Sequence, residues 1–525
     1  MDLFRFLPLI TFLLLPSPCR PSGEVPTPAP DQVLIQIQQL IQQGNLPEAR
    51  TQISKAIQRE PRQASLYSLL GVVDAQEKRY HPAEANFRKA ISLSPEFQGP
   101  YLNLGHLYQE NQAADPTAAL KAIEVYSRLL KIDPDNQEAH YQLSVLSLGR
   151  SDYQGCLEHV HQLPQALQAS PQVLAVLCAS LGGMGRVSEA ERVAQQLLSN
   201  NRVNEADITT VLPVLERNRI DSVQIALLEG LASKGLASPG TLHQLGIVYE
   251  RQGRLEQARS TLEKVAANQT ISSSLLLELA RIAYKQKDNQ GALGYLAHAR
   301  DLDPKNSAVH FFWGIVCIEE DLPVEALKAL REAVSLSPDN AYARYALGDV
   351  ILKTRDPGEA VVHFQRFCEL RPGDPQGRYA LGVAYYASGQ YDRARLLLEA
   401  LVNDSITAAG ANFYLARLDR QEGNLDSALK RITLALKAND QYADAYSELG
   451  QIQMRRRELP LAENAFQKSI QIDPDNYLAN LNLLVVYQRT QDPKQEAQAQ
   501  RFEEVKKKRT EKEQLYLRKI EIRPY

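Results

Sequence analysis

The chain has 525 residues, of which 44% are hydrophobic and 23% are charged, a composition typical of folded globular proteins. Its 59 basic and 62 acidic residues leave a formal net charge of -3, so no overall basic field is present to attract nucleic-acid phosphates. These values exclude a low-hydrophobicity disordered chain and argue against nucleic acid as a partner.

The first thirty residues differ in composition from the rest of the chain. Arg5 precedes an apolar run over 6–15, and a proline-rich stretch follows it. The pattern predicts a signal peptide over 1–19 and a linker over 20–30, and hence an exported protein, periplasmic or extracellular. Because Asp2 dilutes the positive charge and no A-x-A cleavage site follows, a cytoplasmic location remains the alternative.

Cys19 occupies the place where a bacterial lipoprotein carries its acylated cysteine, although Pro16 and Pro18 replace the usual small residues. Contact with a membrane is therefore expected only through this N-terminal anchor. The other cysteines show neither C-x-x-C pairing nor metal-ligand spacing, so we expect them to be small core residues. They are Cys156, Cys178, Cys317 and Cys368.

A short motif, Leu-Gly or Leu-Ala followed twelve residues later by alanine, recurs at a constant step of 34 residues through the second half of the chain. The motif also recurs in the first half, at Leu70-Gly71 and Leu104-Gly105. Its first residues in the second half are Leu245, Leu279, Trp313, Leu347, Leu381, Leu415, Leu449 and Leu483.

This motif resembles the tetratricopeptide repeat, whose pattern is W-x2-L-G-x2-Y, then A-x3-F and a closing proline. The copy over 443–476 has Tyr446, Leu449, Gly450, Ala462, Phe466 and Pro474 at these places. The resemblance implies an all-α protein, an α-solenoid with a right-handed superhelix of about fourteen stacked helix-turn-helix repeats. A C-terminal capping helix is expected to close it.

The quality of the repeat divides the array. Residues 31–170 are predicted to form N-terminal repeats, 171–238 degenerate repeats and 239–492 regular C-terminal repeats. Within the degenerate part, 205–238 keeps the length of one repeat but loses most of its signature residues. The charged segment 493–525 is predicted to be the capping helix and tail.

In this family, positions 2, 5, 9, 12 and 13 of each copy line a concave groove made by the first helices. Aromatic and apolar residues recur here at positions five and twelve, and charged residues at position nine could orient a bound partner. The groove residues so predicted are Leu277, Phe311, Tyr345, Tyr379 and Phe413 at position five, Arg281, Asp349 and Arg417 at position nine, and Tyr284, Ile318, Leu352 and Tyr386 at position twelve.

The alternative for these rings is burial against adjacent repeats, as aromatic stripes usually serve the core. The lysine and asparagine clamp of chaperone-binding family members is not reproduced. Nor is the asparagine ladder of O-linked N-acetylglucosamine transferases, because position six carries Phe312, Ala346, Ala380 and Tyr414.

The sequence shows no phosphate loop, nucleophile elbow or HExxH motif, so we expect a non-enzyme without catalytic residues, metal or cofactor. The two histidines nearest in sequence, His159 and His161, have an i, i+2 spacing that places them on different helix faces.

The function that follows from the repeats is a scaffold for protein–protein interaction. Its partners would be other proteins or peptide segments held in the groove. Two alternatives stay open: a structural subunit that uses its convex face and ends, and a recognition arm of a glycan-processing enzyme. The oligomeric state is also open.

Overall fold

The computed structural model describes residues 30–268, 271–354 and 356–521. The predicted signal peptide, Cys19 and all of the predicted linker except Pro30 lie outside these ranges. The chain divides into two compact units, residues 1–269 (unit 1) and 270–525 (unit 2). Within the described ranges every regular element is helical, and none of these helices is long and apolar enough to cross a membrane.

The helices of unit 1 are α1 Pro30–Gln42, α2 Leu46–Arg59, α3 Ala64–Gln76, α4 Tyr80–Leu93, α5 Gln98–Glu110, α6 Ala118–Ile132, α7 Gln137–Gly149, α8 Tyr153–His161, α9 Gln165–Gln168, α10 Pro171–Gly183, α11 Val187–Ser199, α12 Glu205–Thr209, α13 Leu212–Arg217, α14 Asp221–Ser233, α15 Pro239–Arg251 and α16 Leu255–Asn268.

The helices of unit 2 are α17 Ser273–Lys285, α18 Asn289–Leu302, α19 Ser307–Glu319, α20 Pro323–Leu336, α21 Ala341–Thr354, α22 Pro357–Leu370, α23 Pro375–Ala387, α24 Tyr391–Glu399, α25 Ala408–Gln421, α26 Leu425–Ala438, α27 Ala443–Arg455, α28 Leu459–Ile472, α29 Tyr477–Thr490 and α30 Gln495–Glu521.

Within each unit, successive helices pair as antiparallel hairpins, and each hairpin packs on the next. Counting the short α12 and α13 together as one first helix, the described ranges contain fourteen such pairs, from α1–α2 to α29–α30. The predicted all-α architecture of stacked helix-turn-helix repeats is confirmed.

The most degenerate predicted repeat, 205–238, differs from the others in its first helix. That helix is split into α12 and α13, and Pro213 lies in the first turn of α13, where its missing N–H costs least. Asn204 and Asp207 form a capping box at the start of α12. The second helix, α14, is regular, so the lost signature residues coincide with a broken first helix.

Each hairpin depends on a small residue where its two helices cross. A Cβ atom added at Gly450 of α27 would lie 2.5 Å from the Phe466 ring of α28, and the same holds for Gly71 against Phe87. The alanine twelve residues after this glycine is fully buried in each regular copy of unit 2, as Ala462 shows. The absence of side-chain atoms lets the helices approach closely and lets a large side chain fill the gap.

The turn from the first to the second helix also repeats at the 34-residue step. One residue of this turn adopts a positive φ, which only glycine adopts without a steric cost. The residues at this place are Gly44, Lys78, Ser151, Gly185, Arg219, Gly253, Lys287, Asp321, Gly389, Gly423, Arg457 and Gln491. Many repeats therefore adopt the positive φ at this place without a glycine.

The connectors D-P-D-N at 133–136 and 473–476 and S-P-D-N at 337–340 end in asparagines that begin the next helix. The side-chain oxygens of Asn136, Asn340 and Asn476 accept hydrogen bonds from backbone N–H groups three residues later, at 3.0, 3.1 and 2.9 Å. These acidic connectors are therefore turn and cap residues.

The predicted capping segment forms the 27-residue helix α30, which packs on α29. Phe502 and Val505 are buried there, and the Phe502 ring lies 5.2 Å from that of Tyr477. Arg501 and Lys508 both pair with Asp475. Phe502 and Val505 thus cover the last hairpin, while Glu503, Glu504 and Lys507 on the same helix are exposed to water.

Replacing Gly450 by alanine tests the close approach of the helices. Alanine favours a helix over glycine by about 1 kcal/mol, yet at this place its methyl group collides with Phe466. We expect Gly450→Ala to destabilise unit 2 by about 1–3 kcal/mol, through overpacking. Thermal unfolding and hydrogen exchange in α27 and α28 measure the effect.

The matched control is Gly294→Ala in α18, where an added Cβ meets no atom within 4 Å. This variant is expected to be neutral or stabilised by up to about 1 kcal/mol. If both variants were stabilised equally, the Phe466 ring would be moving aside freely and the close approach would not constrain the sequence.

Candidate functional site

The first helices of successive repeats in unit 2 form one continuous layer. From α19 onward each contacts the next first helix along the chain, through α21, α23, α25 and α27 to α29. The twelve predicted groove residues lie on α17, α19, α21, α23 and α25, all within this unit. The contacts of their side chains decide which of them a partner could reach.

Position five is mainly a packing position. The Tyr345 ring lies 5.5 Å from Phe364 and 5.1 Å from Phe367, both on the second helix of its own hairpin. An added Cβ at Gly377 of α23 would collide with Phe367, so the ring of Phe367 lies directly against the next repeat. Burial raises the pKa of the Tyr345 hydroxyl. Tyr345 therefore packs within its own hairpin, behind the ring that meets the next repeat.

Tyr379 and Phe413 are packing residues too. The Tyr379 hydroxyl lies over Gly410 of α25, where a side chain would have no room, and its ring lies 6.3 Å from Tyr414. Phe413 is only 7% exposed and packs 5.0 Å from Tyr442. Burial raises the pKa of the hydroxyls of Tyr379 and Tyr442. These rings are therefore buried against adjacent repeats and do not form an open row of aromatic side chains along the groove.

Tyr386, at position twelve, is one of the partly accessible rings near α25. It is half-buried, and its ring lies 5.2 Å from Tyr414 and 5.7 Å from the exposed Tyr391. Its hydroxyl accepts a hydrogen bond from Gln421 Nε2 at 3.1 Å. Burial raises its pKa.

Arg417 holds this group of rings together. Its guanidinium lies over the rings of Tyr386, Phe413 and Tyr414, at 5.1, 5.6 and 5.9 Å from their centroids. Such cation–π contacts contribute about 0.5–2 kcal/mol each, depending on how far they are shielded from water. We call Tyr386, Tyr391, Tyr414 and Arg417 the aromatic–arginine cluster.

Next to the cluster lies a buried carboxylate. Glu448 of α27 is 3% exposed and accepts two hydrogen bonds from Arg420, one of them from Nη2 at 3.2 Å. Arg417 Nε lies 3.9 Å from the same carboxylate, and Arg455 Nη1 donates to the Arg420 carbonyl at 2.8 Å. Glu448 thus lies beside two arginines of α25, and Arg455 of α27 is held close to them by the Arg420 backbone.

The remaining predicted residues form no single cluster with these. Tyr284 of α17 lies 5.4 Å from Phe312, and its pKa is raised by burial and by Glu319. The Asp349 carboxylate pairs with Lys353 at 2.7 Å and is neutralised on its own helix. Arg281 is exposed, whereas Leu277, Phe311, Ile318 and Leu352 are half-buried.

Sequence reasoning missed Tyr414, Tyr442, Arg420 and Glu448. Tyr414 occupies position six, where the sequence shows only that an asparagine ladder is lacking. Glu448 occupies the same position one repeat later. A bulky or charged residue at position six next to an arginine at position nine was the available signal. Its meaning depends on distances between repeats, which spacing alone does not provide.

The structure pairs His159 with His140 of α7. Their Nδ1 atoms are 3.1 Å apart, and His140 Nε2 lies 2.9 Å from the Pro134 carbonyl. A carbonyl only accepts, so His140 donates through Nε2 and accepts from His159 through Nδ1 when both rings are neutral. Among the described residues, no group of three or more His, Cys, Asp or Glu side chains could hold a metal ion.

Among the described cysteines, Cys156, Cys178 and Cys317 are buried and Cys368 is half-buried. Burial raises the pKa of Cys156 and of Cys178 to about 12. Thiols with such high pKa values are poor nucleophiles at neutral pH, as expected for small core residues.

The histidine pair predicts how unit 1 responds to acid. Burial and the neighbouring His140 lower the pKa of His159, whereas Glu158 and Asp152 oppose this. The unfolded chain therefore binds more protons below about pH 6.5, so stability should fall as the pH drops from there towards the folded pKa. Thermal unfolding between about pH 8 and 5 measures this.

His159→Gln should reduce this loss of stability at low pH. The exposed His161, two residues away, is the matched control, and His161→Gln should follow the wild-type profile. Identical profiles for all three proteins would mean that the pair does not contribute.

The different burial of the groove rings predicts different variant stabilities. Phe413→Ala removes a ring from a closed contact and should destabilise unit 2 by about 3–5 kcal/mol. Tyr386→Ala should cost less than half of that, because the ring is partly in water. Chemical denaturation followed by circular dichroism compares the two, and equal losses would contradict the assignment of Tyr386 as accessible.

Comparison with known proteins identifies the family to which these repeats are similar. A tetratricopeptide repeat family model matches residues 36–96, 243–307, 324–375 and 413–477, and a second tetratricopeptide repeat model matches residues 352–405. Together the two models match just over half of the chain.

Two curated relatives match short segments. The Protein O-mannosyl-transferase TMTC3 of Homo sapiens is 33% identical over 90 residues, which is 17% of this chain and 9% of that protein. The Tetratricopeptide repeat domain-containing protein PYG7, chloroplastic, of Arabidopsis thaliana is 36% identical over 59 residues, 11% of this chain and 20% of that protein. The chain thus spans a fifth or less of these relatives.

Among solved structures, a tetratricopeptide repeat protein from Parabacteroides merdae is 18% identical, with a TM-score of 0.39, covering 47% of this chain and 98% of that one. The 34-residue motif of the present chain, its stacked helical pairs and the two matching family models all indicate the same family. The chain belongs to the tetratricopeptide repeat family.

Proposed function

We propose that this protein is a non-catalytic scaffold that holds a segment of a partner protein in the groove of unit 2. The observation that carries the proposal is the aromatic–arginine cluster on α23, α24 and α25. Tyr386 and Tyr414 are half-buried and Tyr391 is exposed, so apolar ring surface remains in contact with water. Rigid aromatic rings provide large contact area with little loss of side-chain entropy on binding.

The rings of the cluster are already ordered before a partner arrives. Edge-to-face contacts fix Tyr386 and Tyr414, and Arg417 lies across both. A preformed site loses less conformational entropy on binding than one that must order its side chains. This arrangement favours a defined partner segment over a loose hydrophobic contact.

We also propose that the protein is exported, on the basis of the apolar run over 6–15 and the proline-rich stretch after it. The partner would then be a protein of the cell envelope or the exterior. Mass spectrometry of the protein recovered from its native cells should find an N-terminus near the end of the predicted signal peptide.

A structural subunit that binds through its second helices is the competing proposal. Apolar side chains stand exposed there, with Leu396 of α24 76% exposed and Val362 of α22 58% exposed. Leu396 and Val362 lie along second helices, whereas the cluster lies on first helices except for Tyr391 at the start of α24. The competing proposal therefore places the contact on a separate surface of the same unit.

A photo-crosslinking amino acid placed either at Tyr386 or at Leu396 of the full chain separates these proposals in native cells. We expect the Tyr386 position to capture a partner that mass spectrometry identifies. Tyr386→Ala should then weaken the affinity for that partner by about tenfold or more, as loss of an aromatic anchor does, while Leu396→Ala leaves it unchanged.

Capture only from Leu396 would favour the structural subunit and overturn the groove. Capture from neither position, by a protein that unfolds like wild type, would contradict both surfaces. Variants of Tyr345, Tyr379 and Phe413 are unsuitable for this experiment, because they remove contacts within and between repeats.

A further inference from the structure

The groove of unit 2 changes in charge along its length. Positions twelve and thirteen are mostly apolar or neutralised from α19 to α23 and carry arginines from α25 to α29. These residues are Ile318 and Glu319 on α19, Leu352 and Lys353 on α21, Tyr386 and Ala387 on α23, Arg420 and Gln421 on α25, Met454 and Arg455 on α27, and Gln488 and Arg489 on α29.

The arginines of the last three first helices exceed the acids that face them. Arg420 is matched by the buried Glu448, which accepts two hydrogen bonds from it. Arg417 shares that same carboxylate only at 3.9 Å, and its side chain remains 32% exposed. Asp444 of α27 is the other carboxylate near these rings, since it helps to raise the pKa of Tyr414 after burial. Glu448 and Asp444 are still outnumbered by the four arginines of α25, α27 and α29, so positive charge is in excess.

Arg455 and Arg489 extend this excess. Both are exposed, and within the described ranges no ion pair joins either of them to a carboxylate. The Arg455 guanidinium instead donates to the backbone carbonyl of Arg420, which orients it beside α25. Arg489 holds the equivalent place one repeat further along.

We infer that the surface formed by Arg417, Arg455 and Arg489, the arginine surface, binds an acidic stretch of a partner polypeptide. An apolar side chain of the same segment would contact Tyr386 and Tyr414. This inference rests on the proposed groove function and adds to it the chemistry and the direction of the bound segment. Its apolar part lies towards α23 and its carboxylates lie towards α29, since charge complementarity fixes the register.

A polypeptide fits this surface better than single-stranded nucleic acid. Nucleic-acid bases need open aromatic faces on which to stack. Here Arg417 covers the rings of Tyr386 and Tyr414, and the two rings also contact each other edge to face. The faces are therefore occupied, while the ring edges and the exposed guanidinium groups remain available to apolar and carboxylate side chains.

The test uses a fluorescein-labelled peptide of about twelve residues, with leucine and phenylalanine in one half and glutamate in the other. When extended, a peptide of this length spans the first helices from α23 to α29. Its affinity for the full chain is compared with that of a peptide in which glutamine replaces glutamate. The acidic peptide should bind at least about tenfold more tightly at low salt, and added salt should reduce the difference.

Arg455→Gln combined with Arg489→Gln should weaken the acidic peptide by about tenfold and leave the glutamine peptide unchanged. The matched control is Lys430→Gln with Lys437→Gln, which removes the same charge from exposed positions on the second helix α26. This control should bind the acidic peptide like wild type.

A photo-crosslinker in each half of the peptide tests the direction. The apolar half should label the protein near Tyr386, and the acidic half should label α27 or α29. Labelling in the opposite order would overturn the inferred direction.

Four outcomes would overturn the inference: equal binding of both peptides, no binding at about 1 mM, equal losses in the arginine and lysine variants, or tighter binding of a single-stranded RNA to the same surface. None of these outcomes changes the result of crosslinking at Tyr386, which tests the proposed function separately. Loss of that capture would remove the proposed function itself, so the two failures are distinguishable.

Discussion

The close approach of the two helices in each hairpin is the constraint on which the rest of this structure depends. Where a glycine such as Gly450 faces a ring such as Phe466, no larger residue fits without moving one helix. The buried alanine on the second helix imposes the same limit from the other side, as at Ala462. Because the contact recurs every 34 residues, it fixes which face of every first helix points inward and which face is left for binding.

This constraint also explains why position five and position twelve behave differently. Position five lies near the start of the first helix, where the next hairpin approaches, so the Tyr379 hydroxyl meets the backbone at Gly410. Position twelve lies two turns later, and Tyr386 there contacts the neighbouring repeat through the Tyr414 ring, Arg417 and Gln421. Residues that look equivalent in sequence therefore divide into packing residues and accessible residues.

The sequence predicted the fold because the 34-residue step, the glycines and the alanines twelve residues later are local signals with one structural solution. It predicted the candidate site only in part. Tyr386 and Arg417 were identified by position, whereas the role of Tyr414 depends on ring distances between α23 and α25. The pairing of His140 with His159 likewise joins two helices and has no counterpart in spacing along the chain.

Buried acidic residues also help to fix the register in which neighbouring repeats stack. Asp74 is 2% exposed and forms an ion pair with Arg50 of the preceding hairpin. Asp419 pairs with Arg395 of its preceding hairpin in the same way. A buried carboxylate without its partner would be costly, so these pairs penalise any slipped register more than they stabilise the correct one.

Glu448 differs from these acids because the arginines around it outnumber it. Arg420 satisfies its carboxylate, and Arg417 is left with only a distant share of the same charge. The acid that fixes the register between α25 and α27 therefore also leaves a cation uncompensated beside Tyr386 and Tyr414. In a protein of otherwise repetitive packing, such an imbalance is the feature that can distinguish one partner from another.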